Sequence, residues 1–321
     1  MQNNIDYTML YRIAKYYYED NLSQSEIAQK EHISRPHISR LLDKAREYGI
    51  VKIRVALPEE LHISKTRHIL RDMLGLKDVI IVPAPAEARQ DNRKNSMNIA
   101  TAAAKHIPDL LQGCRNVGVG WGFTMYQTSL QLSYCDRCEG ITFIPLIGIS
   151  GENNPYFQIN TIVDRFAEKF GAESYYTNIL AFRENSAERT QVEKDRYIKM
   201  QQRWNKLDAA IIGLGVPPEA GGFLITEVSQ KYRQIIESSN TVGDILSQFF
   251  YDDGTVFDLK PDYEQISYPI QNLRNINKVI CLAGGAAKAN GIIAAARNGF
   301  FDILITDSVT AGLIQKKIYI H

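Results

Sequence analysis

The segment Val117-Gly118-Val119-Gly120-Trp121-Gly122-Phe123-Thr124 joins a short apolar run to a glycine-rich turn and then to the start of a helical pattern. A short apolar run bounded by turn residues is typical of a buried strand. Glycine lets a backbone approach a phosphate closely, and the first N–H groups of the following helix supply hydrogen-bond donors. The segment therefore predicts a strand–turn–helix unit with an anion-binding turn.

Similar apolar runs recur on both sides of this segment and alternate with helical patterns. The runs of strand length are 79–83, 117–120, 141–147, 210–215, 279–282 and 303–306. Helical patterns between them include 96–111, 159–170, 189–204 and 290–297. Such alternation favours an α/β fold, in which a Rossmann-like, mostly parallel sheet carries helices on both faces. Ligands of these sheets bind at the carboxyl ends of the strands.

Two more glycine-rich segments follow predicted strands. Gly213-Leu214-Gly215 is best interpreted as a tight strand-to-loop turn. Gly284-Gly285-Ala286-Ala287-Lys288 places a lysine at a helix start and is a good phosphate site, although a lone lysine more often faces solvent. The spacing of Gly118, Gly120 and Gly122 could also indicate a dinucleotide fingerprint, but the third glycine comes too soon for that motif.

Start and stop signals in the first 50 residues predict three short helices. Apolar residues at helical spacing over 7–18 indicate the first, and Ser23 with Glu26 forms a capping box at the start of the second. Ser34 can cap a third helix, which Gly49 ends. Two short helices joined by a tight turn form a helix-turn-helix, whose second helix enters the major groove of DNA.

The first turns of the third helix carry the residues that could contact DNA. Arginine pairs bidentately with guanine, and serine or histidine can reach phosphates or base edges. The competing interpretation is that the charged outer face of this helix is simply exposed to solvent and has no partner. Beyond the helix, alternating apolar and basic residues over 50–55 predict a strand. Such a strand could form a wing that lies on the DNA backbone. The candidate DNA-binding residues are Ser34, Arg35, His37, Ser39, Arg40 and Lys44.

Length and composition favour two domains. The 321 residues exceed the usual size of one domain, so we predict a DNA-binding domain over 1–56 and a ligand-binding and oligomerisation domain over 57–321. The net charge of +1 limits any nucleic-acid contact to a local patch. Four cysteines in a long chain suggest reduced thiols in a cytoplasm, and no apolar run is long enough to suggest a membrane partner. Cys135 and Cys138 have the spacing of one half of a zinc site, but no second Cys or His pair follows at ligand distance, so no metal is predicted.

Over nearly its whole length the chain resembles the SorC family of sugar-responsive bacterial transcriptional regulators. In the helix-turn-helix, the resemblance is carried by 22–28 and by Ser34-Arg35-Pro36-His37-Ile38-Ser39-Arg40-Leu41-Leu42. Segments 121–127 and 192–196 make the sequence most similar to the deoxyribonucleoside regulator branch. The other matching segments are 120–124, 213–215, 243–245, 249–250, 283–288 and 305–311.

The resemblance implies a larger domain similar to ribose-5-phosphate isomerase and glucosamine-6-phosphate deaminase, without their catalysis. It implies a regulator of a carbohydrate-catabolic operon, a homo-tetramer or dimer of dimers that binds double-stranded operator DNA and is controlled by a sugar phosphate, without a cofactor. Gln158 and Asp244 would bond the sugar hydroxyls. The other residues implied to bind the effector, mainly its phosphate, are Gly120, Gly122, Phe123, Thr124, Gly284, Gly285 and Lys288.

Three positions depart from the family pattern. Ile147 stands where relatives often carry a basic residue that can form a Schiff base with an aldehyde or hold a second phosphate. Tyr251 replaces a common Asp or Asn, and Ala286 lacks a hydroxyl that many relatives offer the phosphate. Covalent sugar binding and a bisphosphate effector are therefore not expected.

Two other functions are compatible with parts of the pattern. The first is a sugar-phosphate isomerase or deaminase with an appended DNA-binding module, which would need a general base. Asp244 and Asp307 are the candidates for that base near the predicted pocket. The second is a sensor that binds a nicotinamide cofactor at the glycine-rich turn.

Overall fold

The computed structural model describes residues 6–53, 59–85, 91–135, 140–150, 154–184, 189–217, 230–258 and 263–320. The chain divides into two compact units, Met1–Pro58 and Glu59–His321. The predicted boundary between residues 56 and 57 falls within 54–58, which lies outside the described residues.

The described part of the N-terminal unit contains the helices α1 (Tyr7–Tyr18), α2 (Gln24–Lys30) and α3 (Arg35–Glu47). Ser23 and Glu26 form the predicted capping box at the start of α2. One apolar side of each helix faces the others, and burial of these sides is what stabilises such short helices. The core of the unit is built from Ile13, Ile27, Ile38 and Leu42.

The strand predicted over 50–55 is not formed over 50–53, and 54–55 lie outside the described residues. Gly49 adopts a φ of 72° and ends α3 as expected. Ile50 and Val51 then both pack against a small cluster around Ala45, and the Val51 N–H donates to the Ala45 carbonyl at 3.0 Å. A strand would turn these two neighbours to opposite sides. The prediction of a wing strand is therefore wrong for residues 50–53.

The larger unit alternates strands and helices, as its sequence pattern predicts. Its described helices are α4 (Glu59–Leu74), α5 (Asn92–Leu110), α6 (Phe123–Gln131), α7 (Ile159–Phe170), α8 (Gln191–Trp204), α9 (Gln230–Glu237), α10 (Ala289–Arg297) and α11 (Ser308–Ile320). Its described strands are β1 (Asp78–Val82), β2 (Asn116–Val119), β3 (Thr142–Pro145), β4 (Glu173–Ser174), β5 (Phe182–Glu184), β6 (Ala209–Gly213), β7 (Gly243–Ile245), β8 (Gln248–Phe250), β9 (Tyr263–Gln265), β10 (Lys278–Leu282) and β11 (Ile303–Asp307).

Seven of the described strands form a parallel sheet in the order β1-β11-β10-β6-β2-β3-β4. Each of the six runs predicted as strands belongs to this sheet. β6 pairs with β10 on one side and with β2 on the other, so the glycine-rich turns after these three strands meet at one edge. The strand pairs β5–β9 and β7–β8 are antiparallel and lie outside the main sheet.

Helices cover both faces of the sheet, and each face has its own core. On β6, Ile211 and Ile212 are both fully buried but belong to different apolar clusters. On β10, Cys281 belongs to the same cluster as Ile212, and Ile280 belongs to the same cluster as Ile211. A strand buried on both faces reads as a continuous apolar run, which is why these strands were visible in the sequence. Among the described helices, none combines the length and apolar character needed to cross a membrane.

Candidate functional site

The exposed side of α3 carries the residues predicted to contact DNA. Ile38, Leu42 and Ala45 face the core of the N-terminal unit and fix the orientation of the helix about its axis. Ser39 is half-buried, whereas the other candidates are exposed. The exposed candidates are Ser34, Arg35, His37 and Arg40, near the start of the helix, and Lys44 in its last turn.

The turn before α3 is held by local hydrogen bonds. His32 adopts a left-handed φ of 55°, and the Ile33 N–H donates to the Ala28 carbonyl at 3.1 Å. Arg12 of α1 donates to both carboxylate oxygens of Glu31, at 2.9 and 2.8 Å, which joins α1 to the end of α2. These contacts set the angle at which α3 leaves the turn.

Ser34 occupies the N-cap position of α3, but its side chain makes no capping hydrogen bond. Pro36 has no N–H to offer, and the His37 N–H already donates to the Ser34 carbonyl at 2.9 Å. The prediction that the Ser34 hydroxyl caps the helix is therefore wrong. That exposed hydroxyl stays available to an outside partner.

The larger unit has a cavity of about 250 Å³ where the ends of β2, β6 and β10 converge. Gly122 leaves β2 with a φ of 115°, a value that favours glycine, and starts α6. Gly122, Phe123 and Thr124 line the cavity, as does Trp121, whose indole N–H donates to the Ser247 hydroxyl at 3.2 Å. The sequence-predicted turn is therefore part of the cavity wall.

The β7–β8 hairpin brings Asp244 to the same cavity. The Gly215 N–H donates to the Asp244 carbonyl at 2.8 Å, and a Cβ at Gly215 would lie 1.7 Å from Asp244 Oδ1. Gly215 is thus needed for the close approach of the carboxylate. Burial raises the pKa of Asp244 to about 6, although the nearby Lys288 charge and a hydrogen bond from the Ser247 backbone act to lower it.

Two residues of that hairpin have unusual backbone conformations. Leu246 and Ser247 have φ values of 51° and 63°, and both line the cavity. Two successive left-handed residues suit a two-residue hairpin turn whose twist matches that of its strands. Left-handed backbone at a leucine is uncommon and is found preferentially at functional sites. No local sequence signal marks Leu246 and Ser247 as residues of a binding site.

The third glycine-rich turn places Lys288 in the cavity. Gly285 has a φ of 111°, and a short 3-10 turn, Ala286–Lys288, leads into α10. Burial lowers the pKa of Lys288, while the Asp244 carboxylate acts to raise it. No ion pair or side-chain hydrogen bond joins Lys288 to another of the residues that the structure describes.

A second cavity of about 220 Å³ adjoins the first and contains residues that the sequence analysis missed. Gly284, Gly285 and Lys288 line it from one side. Asn92, Arg93 and Ser96, from the first turns of α5, line it from the other side. No local signal marks α5 as a ligand-binding helix, because its distance to the glycine turn depends on the strand order of the sheet.

Two predicted effector residues lie outside both cavity linings. Gly120 is buried, and a Cβ there would lie 3.0 Å from a methyl group of Leu246. Gln158 is half-buried at the start of α7, next to Phe157, which does line the first cavity. Gly120 therefore packs behind the glycine-rich turn, against Leu246, without reaching the cavity. Gln158 follows directly after Phe157, a residue of the cavity wall.

The three departures from the family pattern are also away from the cavity walls. Ile147 is fully buried in the core on one face of the sheet and is in neither cavity lining. The Tyr251 N–H donates to the Thr255 carbonyl at 2.9 Å. Ala286 is exposed on the 3-10 turn.

Asp307 has a structural role and is not positioned to act as a general base. Its carboxylate accepts hydrogen bonds from the Thr310 N–H at 2.8 Å, the Thr310 hydroxyl at 2.5 Å and the Asn95 side chain at 2.8 Å. It is almost fully buried and caps α11 in this way. Within the described ranges, no group of three or more potential ligands could hold a metal, and Cys138 lies outside those ranges.

Comparison with known proteins gives consistent results over both units. Residues 59–315 match the Sugar-bind family, a sugar-binding domain. The chain is 30% identical over 301 residues to the deoxyribonucleoside regulator of Bacillus subtilis (strain 168), covering 93% of this chain and 94% of that protein. It is 26% identical over 329 residues to the sorbitol operon regulator of Klebsiella pneumoniae, covering 98% of this chain and all (100%) of that protein.

The three-dimensional comparison agrees. The crystal structure of the full-length sorbitol operon regulator SorC from Klebsiella pneumoniae superimposes with a TM-score of 0.70 at 25% identity, covering 96% of this chain and 98% of that chain. These relatives are transcriptional regulators rather than enzymes, which removes the isomerase or deaminase alternative. The chain therefore belongs to the SorC family of sugar-responsive transcriptional regulators, whose partners are DNA and a sugar-derived effector.

Proposed function

We propose that the effector of this regulator is a phosphorylated sugar or polyol, bound where the turns after β2, β6 and β10 meet. The observation that carries the proposal is the position of Lys288, which lines both cavities beside Gly284 and Gly285. Lys288 is half-buried, and no carboxylate among the described residues forms an ion pair with it, so its ammonium group is available to an anion. The glycine turn exposes backbone to the same volume.

The carbohydrate end of the ligand would lie in the first cavity. Asp244 and Ser247 supply hydrogen-bond acceptors for hydroxyl groups, and Trp121 and Phe157 supply flat apolar walls. The two aromatic rings are in edge-to-face contact, with centroids 5.4 Å apart. Such a pocket combines apolar surface with a few polar groups, as sites for small polar molecules do.

The DNA-binding role falls to the exposed side of α3. Arg35 and Arg40 carry the fork-shaped donors that read guanine, with Ser34 and His37 beside them. We propose that the chain acts as a homo-tetramer or a dimer of dimers, so that two such helices read two half-sites. Effector binding would change the operator affinity by changing the packing of the subunits.

A thermal-shift screen tests the choice of effector. Pentose, hexose and hexitol monophosphates are each paired with the free sugar or polyol, because a ligand of the native state raises the unfolding midpoint by mass action. We expect a shift with one phosphate and none with its unphosphorylated partner. A shift with a free polyol alone, or equal shifts within every pair, would refute the phosphate.

The Lys288→Ala variant links the site to regulation. Its operator affinity, measured by fluorescence anisotropy on a DNA sequence selected from a random pool, is expected to respond weakly to the phosphate that affects the wild type. Each protein is compared with its own ligand-free state. A full response by the variant would remove Lys288 from the effector site.

A further inference from the structure

The two adjoining cavities differ in the charge of their walls. Among the described residues, the charged side chains of the first are Asp244 and Lys288, and those of the second are Arg93 and Lys288. Four of the described residues line both cavities, so the two volumes form one continuous site with an acidic end and a basic end. The shared residues are Ser96, Phe123, Val216 and Lys288.

The basic end depends on the Arg93 side chain rather than on the helix start that carries it. Asp91 already accepts the backbone N–H groups of Arg93 and Lys94, at 2.8 and 3.2 Å, so these first donors of α5 are occupied. The Arg93 guanidinium lies 5.8 Å from the centroid of the Phe123 ring. Within the described ranges it has no carboxylate partner, so its five donors are available to a ligand.

The acidic end discriminates between ligands by repulsion. At neutral pH the Asp244 carboxylate is mainly ionised, since its pKa of about 6 lies below 7. An ionised carboxylate accepts hydrogen bonds from hydroxyl groups but repels a second phosphate or a terminal carboxylate. Ile147 is buried in the core, so among the described residues Lys288 is the one basic side chain in the lining of this cavity, and it is the group that would hold the first phosphate.

We propose that the site selects a sugar or polyol with one phosphate at one end and no charge at the other, Arg93 acting as a specificity residue beside Lys288. The inference rests on the proposed function and narrows it. The planar guanidinium can hold two phosphate oxygens at once, while Lys288 contributes a point charge. Asp244 faces the opposite, neutral end of the ligand.

Isothermal titration calorimetry at pH 7.5 with two matched ligand pairs tests the acidic end. The pairs are fructose 6-phosphate with fructose 1,6-bisphosphate, and sorbitol 6-phosphate with 6-phosphogluconate, which differs by a carboxylate at the far end. In a pair whose monophosphate binds, we expect the partner with the second anionic group to bind about tenfold more weakly or worse. Asp244→Asn should reduce that difference, because it removes the charge and keeps the size.

The basic end is tested with Arg93→Gln against Lys94→Gln, which removes the same charge one position along α5. We expect Arg93→Gln to weaken monophosphate binding about tenfold or more, and Lys94→Gln to change it little. Arg93→Lys, which keeps the charge but loses the fork, should fall between wild type and Arg93→Gln. Ligand-free unfolding midpoints establish that each variant is folded.

The outcomes separate the two proposals. If the wild type prefers a monophosphate to the free sugar but binds the second anion equally well, or if Arg93→Gln behaves as Lys94→Gln does, this inference is wrong and the proposed function stands. If no monophosphate in the panel binds, both are overturned.

Discussion

The hydroxyl of Thr310 accepts the backbone N–H of Gly285 at 2.7 Å and donates to Asp307 at 2.5 Å. Asp307 also accepts a hydrogen bond from Asn95 of α5. The glycine turn that lines the second cavity is therefore fixed to α11 on one side and to α5 on the other. This network explains how a turn rich in glycine can keep one conformation.

Replacement of Thr310 by valine should weaken this turn. The Gly285 N–H and the Asp307 carboxylate would each lose a partner, and an unsatisfied group of this kind costs about 1–3 kcal/mol. We expect that loss in the free energy of unfolding measured with urea, together with weaker binding of the effector. Thr101→Val is the control, because the Thr101 hydroxyl is exposed and its partners, the Met97 carbonyl and the Gln131 side chain, can bond to water when it is removed. Equal stability of the two variants would contradict the role of Thr310.

Gly284 and Gly312 should respond in opposite directions to alanine. A Cβ at Gly284 would lie 2.3 Å from Asp307 Oδ2 and 2.4 Å from Ile99 Cδ1, so the neighbours must move. Overpacking of this kind destabilises by about 1–3 kcal/mol. A Cβ at Gly312, within α11, would meet nothing within 4 Å, and alanine favours a helix by up to about 1 kcal/mol. Urea unfolding of both variants checks the signs, and a stabilised Gly284→Ala would be inconsistent with this packing.

Asp244 should make stability depend on pH. Its pKa rises from 3.8 to about 6 on folding, so the folded chain binds more protons between these values. This group therefore makes the folded state less stable as the pH rises from about 4 to about 6. The Asp244→Asn variant should gain stability over the wild type across that window, by at most about 3 kcal/mol, and hold a constant gain above it.

The opposing charge near Asp244 is Lys288, and its attraction to the carboxylate reduces the gain. The measurement is urea unfolding of both proteins between pH 4 and pH 8. A difference between them that did not change with pH would mean that Asp244 has an ordinary pKa.

Arg35 should contribute to the reading of DNA sequence. Its side chain is exposed at the first position of α3, so Arg35→Ala should leave folding intact. Loss of a bidentate contact to guanine costs about 1–3 kcal/mol and relaxes the preference at that base pair. Arg46→Ala is the control, since Arg46 lies in the last turn of α3 and forms an ion pair with Asp43. Unchanged affinity and base preference of Arg35→Ala on the selected operator would argue against this reading face.

Local patterns predicted most of the secondary structure. The capping box of Ser23 and Glu26, the apolar run of β6 and the helix over 159–170 all depend on residues a few positions apart, and each is present. The pattern over 50–55 failed because alternation describes which residues are apolar but not what lies beside them. Ile50 and Val51 pack against Leu10, Ala14 and Ala45 instead of pairing with a neighbouring strand.

The sequence by itself determined the two kinds of functional segment, a helix with basic residues on its outer side and glycine-rich turns after buried strands. Only the tertiary structure decided which of these turns meet, because strand order is not written in any local pattern. The pairing of β10 with β6 and of β6 with β2 brings Lys288, Asp244 and Gly122 to one cavity. The same strand order brings Arg93 against a turn almost two hundred residues later and leaves Gly120 and Gln158 outside the walls. Side-chain orientation at a ligand depends on packing over the whole sheet, and so it could not be derived from spacing along the chain.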